Sequence, residues 1–287
     1  MLTGLAMVAF AANSLLCRLA LGADQIDAAS FTTIRVFTGV IALVAISYLQ
    51  GRPPSRSNGS CRSALALFAY MIFFSFAYVS LGAANGALIL FGAVQLTMFA
   101  VALSTGERFP PLALAGLAVA VGGLVYLVSP GLTAPDPLGA SLMAVAGVAW
   151  GAYSLLGRGA PDPLTATTMN FLYCAPLVAI VSLFSLPQFH LSPAGVAYAI
   201  ASGAIASGCG YVIWYAALRG LTAGRAATVQ LSVPVFAAIG AVILLSEPIT
   251  MRLVLASAAT LGGVALVLAQ RAAPAPKLAR TEPAAGQ

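Results

Sequence analysis

The chain has 287 residues, of which 61% are hydrophobic and only 7% are charged, and its formal net charge at pH 7 is +6. A soluble domain carries about 25% charged residues, so a chain this long and this apolar could not cover its own surface in water. The composition excludes an ordinary soluble globular protein and indicates a membrane protein whose solvent is largely lipid.

Residues that support catalysis or metal binding are scarce in this sequence. It contains one histidine, His190, in a predicted loop, and four cysteines that stand far apart without metal-ligand spacing. We interpret the cysteines as small apolar residues. No phosphate-binding loop, zinc-hydrolase motif or dinucleotide fingerprint occurs. The sequence therefore predicts no metal, no cofactor, no nucleic-acid partner and no enzymatic activity.

Apolar stretches of about 20 residues, the length that crosses a bilayer as a helix, occur ten times between polar or Gly/Pro-rich breaks. We predict membrane-spanning helices over residues 2–21, 28–49, 63–81, 83–104, 109–129, 137–157, 164–186, 194–217, 221–245 and 250–270. The least marked breaks are Gly82, between the third and fourth helices, and residues 219–220, between the eighth and ninth. Residues 271–287 are polar and rich in Pro and Ala, which predicts a disordered cytoplasmic tail.

Basic residues in the short loops predict how the chain is oriented in the membrane. With the N-terminus inside, ten lysines and arginines lie on the inner side, and only Arg18 and Arg252 lie on the outer side. The inner set is Arg52, Arg56, Arg62, Arg108, Arg158, Arg219, Arg225, Arg271, Lys277 and Arg280. Because Lys and Arg concentrate in cytoplasmic loops, both termini are predicted to be cytoplasmic.

The sequence matches itself when it is shifted by 140 residues. Residues 8–18 lie over 148–158 with seven of eleven positions identical, and the same shift places Glu107 on Glu247 and the Gly-Gly pair 122–123 on 262–263. Each repeat holds five spans, an odd number, so the two copies must cross the membrane in opposite directions. We therefore predict an all-α polytopic protein of ten transmembrane helices, built as two inverted five-helix repeats over residues 1–132 and 133–270. In such proteins the substrate binds near the midplane between the repeats.

The helix count, the repeat and the glutamate after the fourth and ninth helices resemble the drug/metabolite transporter superfamily, in its EamA-type branch. Segments 88–128 and 231–269 are similar to that branch's fourth and fifth, and ninth and tenth, helices. One departure is that Pro234 in the ninth helix has Val94 opposite it in the fourth. The nearest resemblance is to bacterial exporters of aromatic and neutral amino acids. It implies a multi-pass protein of the bacterial plasma (inner) membrane, monomeric or homodimeric, with a central cavity formed by helices 1, 3, 4, 6, 8 and 9.

Aromatic residues at helical spacing are the first candidates for the substrate site. Tyr70, Phe74 and Tyr78 form one stripe on the third helix, and the 140-residue shift pairs Phe10 with Trp150 and Phe74 with Trp214. Such rings bury apolar surface and some keep a polar tip, which suits an amphipathic solute; the alternative is an interfacial belt or helix packing. The candidate rings are Phe10, Tyr70, Phe74, Tyr78, Trp150, Tyr153, Tyr211, Trp214 and Tyr215.

Polar residues within the predicted spans are the second candidates, since unpaired polar groups are costly in lipid. The amides Asn13, Gln95 and Gln230 could fix a substrate carboxylate or amine through hydrogen bonds. The alternative for each is an ordinary interhelical hydrogen bond.

Charged residues give a third group. Arg18 and Arg158 close the first and sixth helices, and Glu107 and Glu247 precede the next helix starts, where we interpret them as dipole partners or N-terminal caps. The alternative is that the glutamates gate the two faces by pairing with Arg18 or Arg158. Arg35 is the only basic residue inside a predicted span; we interpret it as snorkelling to the interface, the alternative being contact with carbonyls or an anionic substrate group.

The favoured function is a secondary transporter, an exporter of aromatic or neutral amino acids that works by alternating access. The alternatives are a carrier of hydrophobic cations, drugs or other metabolites, a membrane-embedded enzyme, and a channel or scaffold. No Asp, Glu or His lies in the middle of a predicted span, which favours a facilitator or exchanger over a pump with a buried proton relay. The alternative is a carrier whose coupling runs through the glutamates at the helix ends.

Overall fold

A computed structural model describes residues 1–157, 160–218 and 229–272, and within these ranges the chain forms ten long helical segments and no β-strand. They are α1 Leu2–Leu21, α2 Ala28–Leu49, α3 Cys61–Ala77, α4 Ala83–Ser104, α5 Pro111–Val128, α6 Pro137–Leu156, α7 Pro163–Phe184, α8, α9 Ser232–Leu245 and α10 Met251–Ala272. The helix α8 continues without a break from Pro193–Ile200 through a π-helical segment, Ala201–Cys209, into Gly210–Leu218.

Eight of the described helices are long and apolar enough to cross a membrane, and α3 and α9 are shorter apolar helices of 17 and 14 residues. The prediction of an all-helical polytopic membrane protein is confirmed at this level. The predicted third span, 63–81, is too long, because α3 ends at Ala77 and a turn precedes α4. Residues 158–159, 219–228 and most of the predicted tail lie outside the described residues.

Local sequence chemistry fixes where several helices begin. The side chains of Asp27, Ser60, Asp136, Asp162 and Ser192 each accept a hydrogen bond from a backbone N–H in the first turn of the helix that follows. These bonds satisfy donors that have no partner within the helix. The pKa of the Asp136 carboxyl is lowered because the N–H of Gly139 and the hydroxyl of Ser80 donate to it.

The loops meet in two groups at opposite ends of the bundle. At the Arg18 end, the α1–α2 loop contacts the α7–α8 loop, where the Ser192 N–H donates to the Gln25 carbonyl at 2.8 Å. At the other end, the α2–α3 loop contacts the start of α7, where Asn58 Nδ2 donates to Thr165 Oγ1 at 2.5 Å. Alternating loops therefore lie at alternating ends, as they must when each helix crosses the membrane once.

The helices α5 and α10 pack closely against each other in an antiparallel arrangement. A Cβ placed on Gly116 would lie 2.8 Å from the Gly263 carbonyl oxygen, and one on Gly123 would lie 2.6 Å from Thr260 Oγ1. Residue numbers rise along α5 while those of their contacts fall along α10, which defines the antiparallel direction. The backbones can approach this closely because glycine has no side chain, as at other membrane helix contacts.

The helices α2 and α7 are also antiparallel. Thr33 Oγ1 lies 2.8 Å from Ser182 Oγ near the start of α2, and Ser47 Oγ lies 3.1 Å from Thr168 Oγ1 near its end. Hydroxyl pairs of this kind satisfy polar groups that would otherwise face lipid or an apolar interior.

In each of the two Gly-Gly pairs that the repeat aligns, one glycine is buried and the other is exposed. Gly123 and Gly263 are buried in the α5–α10 contact, whereas Gly122 and Gly262 are exposed and have nothing within 4 Å of an added Cβ.

Replacing Gly263 with valine should destabilise the protein, whereas replacing its neighbour Gly262 should not. The new side chain at 263 would meet the backbone of Gly116 and Ala120, which cannot rotate away. Overpacking of this kind costs about 1–3 kcal/mol, so we expect Gly263→Val to lower the Tm in detergent by roughly 5 °C, while Gly262→Val stays near the wild-type Tm. Equal Tm values for the two variants would contradict the packing described here.

Candidate functional site

A buried cavity lies at the centre of the bundle between α1, α2, α3, α4, α6 and α8. Its lining combines aromatic rings with hydroxyl and amide groups and one guanidinium. The lining residues are Phe10, Asn13, Ser14, Arg35, Tyr70, Phe74, Leu90, Phe91, Trp150, Ala206, Ser207 and Tyr211. The resemblance implied a contribution from the ninth helix, but among the described residues the lining comes from α2 and not from α9.

The aromatic part of the lining centres on Trp150 of α6. Its ring stacks on Tyr211 of α8, with centroids 5.4 Å apart and planes 22° apart, and lies 4.8 Å from the Tyr70 ring of α3. The ring centroid of Phe10 of α1 lies 6.0 Å from that of Tyr211. Rings from four helices therefore surround one space, and five of the predicted aromatic residues line it: Phe10, Tyr70, Phe74, Trp150 and Tyr211.

Three further predicted rings pack behind the lining. Tyr153 lies 5.5 Å from Trp150, Trp214 lies 5.9 Å from Phe10, and Tyr78 lies 4.8 Å from Phe74. All three are buried, so in this conformation they support the lining rather than face the cavity. The side chain of Tyr215 lies outside the described part of the chain.

Of the predicted amides, Asn13 is the one that reaches the cavity. Its Nδ2 donates to the Tyr70 hydroxyl at 3.5 Å, and its Oδ1 accepts from the Ser202 hydroxyl at 2.6 Å. It therefore joins α1 to α3 and α8. Gln95 is buried but does not line the cavity, and Gln230 is half-buried and does not line it either.

Arg35 lies in the cavity wall with its side chain fully buried, so the snorkelling interpretation is wrong. Its Nε donates to Ser207 Oγ and its Nη2 donates to the Tyr70 hydroxyl, both at 3.3 Å. The guanidinium carbon lies 5.1 Å from the Phe74 ring centroid and 5.5 Å from that of Tyr70. Snorkelling needs a path along the helix to the interface, but Arg35 is on the α2 face that packs against α8.

Local geometry in α8 brings two serines to this site. Ser202 and Ser207 are five residues apart, and they reach Asn13 and Arg35 respectively. In a π-helix, hydrogen bonds join residues five apart, so such residues lie close together on one face, and π-helical turns are frequent at functional sites. Gly203 within this segment lies directly against the backbone of Arg35, which brings α2 and α8 together.

Sequence reasoning missed Ser207 as a site residue and gave Arg35 only a secondary role. The signal for Arg35 was present, because an ionisable residue inside a span is a functional candidate by default. No comparable signal exists for Ser207, because the equivalent position under the 140-residue shift is the apolar Leu67.

An ion pair lies at the Arg18 end of the bundle. Arg18 Nε lies 3.3 Å from Glu247 Oε1, and Arg18 Nη1 donates to the carbonyls of Tyr78 and Val79. The Glu247 carboxylate also accepts from the Ala83 N–H, at 2.9 and 3.0 Å from its two oxygens.

The expected capping roles of the glutamates need correction. Glu247 was expected to cap the helix that follows it, but it caps the start of α4, and the first turn of α10 is bonded by Thr250 instead. Glu107 is exposed, and α5 begins without a side-chain cap. Its predicted partner, Arg158, lies outside the described residues.

Comparison with known proteins shows the family to which this chain is related. The model of the EamA-like transporter family matches residues 137–269. An uncharacterized transporter of Archaeoglobus fulgidus is 30% identical over 222 residues, which cover 72% of this chain and 77% of that protein. The chain belongs to the EamA-like transporter family. It is also similar to an uncharacterized protein of Pseudomonas aeruginosa, PA1977, with 52% identity over 271 residues and 94% of each chain covered.

The fold of this EamA-like transporter matches that of a protein with a solved crystal structure. The two align with a TM-score of 0.62 and 20% sequence identity over 93% of this chain and 99% of the other. Family membership and the apolar helices make the chain a multi-pass membrane protein and point to transport of small solutes rather than to enzymatic chemistry.

Variants of Glu247 should separate its two contacts. Glu247→Gln keeps an oxygen that can accept from the Ala83 N–H but loses the charge, whereas Glu247→Ala loses both. A helix cap contributes about 1 kcal/mol and a partly exposed ion pair contributes about 0.2–1 kcal/mol. We expect the Tm in detergent to fall in the order wild type, Glu247→Gln, Glu247→Ala, and equal losses for the two variants would rule out the cap.

Proposed function

We propose that this EamA-like transporter is a secondary carrier that moves small organic solutes by alternating access around the central cavity. The candidate substrates from the sequence are aromatic and other neutral amino acids, exported across a bacterial inner membrane. The observation that carries the proposal is the cavity itself, which is buried at mid-bundle and lined by rings, hydroxyls and an amide from six helices. Sites with a mostly apolar wall and few polar groups are typical of small-molecule binding.

The directions and contacts of the helices support two inverted repeats over residues 1–132 and 133–270. Under the 140-residue shift, α2 is equivalent to α7 and α5 to α10, and both pairs are antiparallel, as inverted copies require. The helix contacts are also the same in both repeats. The contact of α3 with α6 corresponds to that of α8 with α1, and the contact of α4 with α6 corresponds to that of α9 with α1. The family model covers nearly the whole of the second repeat.

The size of the cavity limits what it can hold in this conformation. The space open to the centre of a water molecule is about 20 Å³, enough for one or two waters and too small for an amino acid. We take this as a contracted conformation, from which the Trp150 and Tyr211 rings or whole helices must move to admit a substrate. Inverted repeats provide such a movement, because the two halves can exchange conformations.

The charged helix ends are proposed as gates. Arg18 and Glu247 belong to different repeats, so their ion pair holds the two halves together at the Arg18 end. The 140-residue shift gives Arg158 and Glu107 as the equivalent pair at the opposite end. In this proposal, one pair forms as the other breaks. Because no carboxylate or histidine lies in the middle of a predicted span, we propose exchange or facilitated diffusion rather than proton coupling.

The second candidate function, a carrier of hydrophobic cations, is disfavoured by the charge of the cavity. Arg35 puts a positive charge in its wall, and among the described residues no Asp or Glu forms an ion pair with Arg35. A lipophilic cation would have to enter a desolvated site beside a like charge.

Counterflow in proteoliposomes tests the carrier proposal. Protein reconstituted with a panel of neutral and aromatic amino acids, organic carboxylates, amines, sugars and lipophilic cations should exchange a class of small solute that bears an apolar body. Trp150→Ala should raise the KM for that class by about tenfold, because a ring contact of this kind contributes about 0.5–1.5 kcal/mol beyond the apolar area that it buries. Phe184→Ala, which removes a lipid-facing ring, is the matched control and should leave KM unchanged.

Two outcomes of this counterflow experiment would contradict the proposal. Exchange of lipophilic cations alone would favour the second candidate. Failure of every class, in protein that keeps its wild-type Tm, would reject a carrier of small solutes.

The proposed orientation can be tested with a native cysteine. Cys61, at the start of α3, is exposed, whereas Cys17 and Cys174 are buried. With cytoplasmic termini, a membrane-impermeant maleimide should label Cys61 in inverted vesicles but not in intact cells. A matched variant, Ala23→Cys with Cys61→Ser, places the thiol in an exposed loop at the Arg18 end and should show the reverse pattern. Labelling of Cys61 from outside would overturn the orientation.

A further inference from the structure

Arg35 is a buried cation whose hydrogen-bonding capacity is only partly used. A guanidinium has five N–H donors; one bonds to Ser207 and one to Tyr70, and Nη1 is buried with no hydrogen-bond partner among the described residues. The remaining donors include both N–H groups of Nη1 and one of Nη2. The free N–H groups of Nη1 and Nη2 can therefore donate to the two oxygens of one carboxylate, as a two-pronged fork.

Among the described residues, no carboxylate forms an ion pair with Arg35. The three ion pairs among the described residues are Arg18–Glu247, Arg52–Asp162 and His190–Asp24, and none includes Arg35. The faces of Phe74 and Tyr70 stabilise the cation in part. A buried charge without a counter-ion is costly, so the site is suited to an anion that arrives from outside.

The rest of the cavity determines what kind of anion fits. The lining also includes Trp150, its stacked partner Tyr211 and Phe10, and these rings suit an apolar or aromatic body. The position equivalent to Arg35 under the 140-residue shift is Ala175. The second half therefore provides no equivalent cation for a second anionic group. The oxygen of Asn13 is already bonded to Ser202, and a substrate ammonium in this cavity would lie near the like charge of Arg35, which disfavours it.

We propose that Arg35 binds the carboxylate of the transported solute, and that the substrate is an organic monocarboxylate with an apolar or aromatic body, in preference to a zwitterionic amino acid. This inference rests on the proposed carrier function and specifies its substrate class. Asn13, Ser207 and Tyr70 act as positioning residues that hold the guanidinium and its neighbours in place.

The test compares four solutes that share a phenyl-alkyl body: 3-phenylpropionate, 3-phenylpropionamide, phenylalanine and phenethylamine. Wild-type protein in proteoliposomes should exchange the carboxylate with a KM at least tenfold below that of the amide, with phenylalanine between them and the amine poorest. In detergent, the carboxylate should raise the Tm of the wild type and the amide should not. Inorganic phosphate, which lacks the apolar body, should not compete.

Arg35→Met and Arg35→Lys then assign the preference to this residue. Arg35→Met removes the charge at similar length, so it should keep or raise the Tm without ligand and reduce the acid-to-amide KM ratio to about one. Arg35→Lys keeps the charge but loses the fork, and should retain part of the preference. Arg252→Gln, which removes a guanidinium bonded to carbonyls at the Arg18 end, should keep the wild-type ratio.

The outcomes separate this inference from the proposed function. Equal handling of acid and amide by the wild type, a preference for phenylalanine over phenylpropionate, or competition by phosphate would overturn the inference and leave the carrier in place. A lower Tm for Arg35→Met with an unchanged acid-to-amide ratio would make Arg35 purely structural and would also overturn it. Failure of all four solutes to exchange through folded wild-type protein would count against the proposed function itself.

Discussion

A guanidinium inside a membrane-spanning bundle has to be stabilised by groups that the protein or its ligand provides, and this constraint shapes the centre of the molecule. Arg35 of α2 bonds to Ser207 of α8 and Tyr70 of α3, and two rings of α3 lie against its charge. Three helices are therefore held around one cation. The aromatic network of Trp150 continues from Tyr70 to Tyr211, so the polar and apolar parts of the cavity share residues.

The periphery supports this centre through contacts that need little side-chain volume. The α5–α10 contact depends on Gly116, Gly123 and Gly263, and it keeps these two helices away from the cavity. The Arg18–Glu247 pair joins α1 to the α9–α10 loop at one end, and the Glu247 carboxylate also caps the start of α4. A fixed glycine contact and a breakable ion pair are what a bundle needs if two halves are to rock around a central site.

Much of this arrangement could be predicted from the sequence, because hydropathy locates the apolar helices and the 140-residue repeat predicts which positions are equivalent. The ring positions of Phe10, Tyr70 and Trp150 followed from helical spacing and the same repeat. The burial of Arg35 could not be predicted, since periodicity does not say which face of α2 meets α8. The bond between Glu247 and the Ala83 N–H was missed because the two residues lie 164 positions apart along the chain. Ser207 was missed because it lies in a π-helical segment, whose periodicity differs from that of an α-helix.

The most direct test of the central claim uses the protein's own fluorescence. The chain has two tryptophans; Trp150 lines the cavity, and Trp214 packs on Phe10 in its wall. Titration of purified protein with cyclohexanecarboxylate, which does not absorb where tryptophan is excited, should give a saturable fluorescence change. Cyclohexanecarboxamide should require at least tenfold higher concentration. The same change at the same concentration for both, or no change with either, would contradict a carboxylate-binding cavity around Arg35.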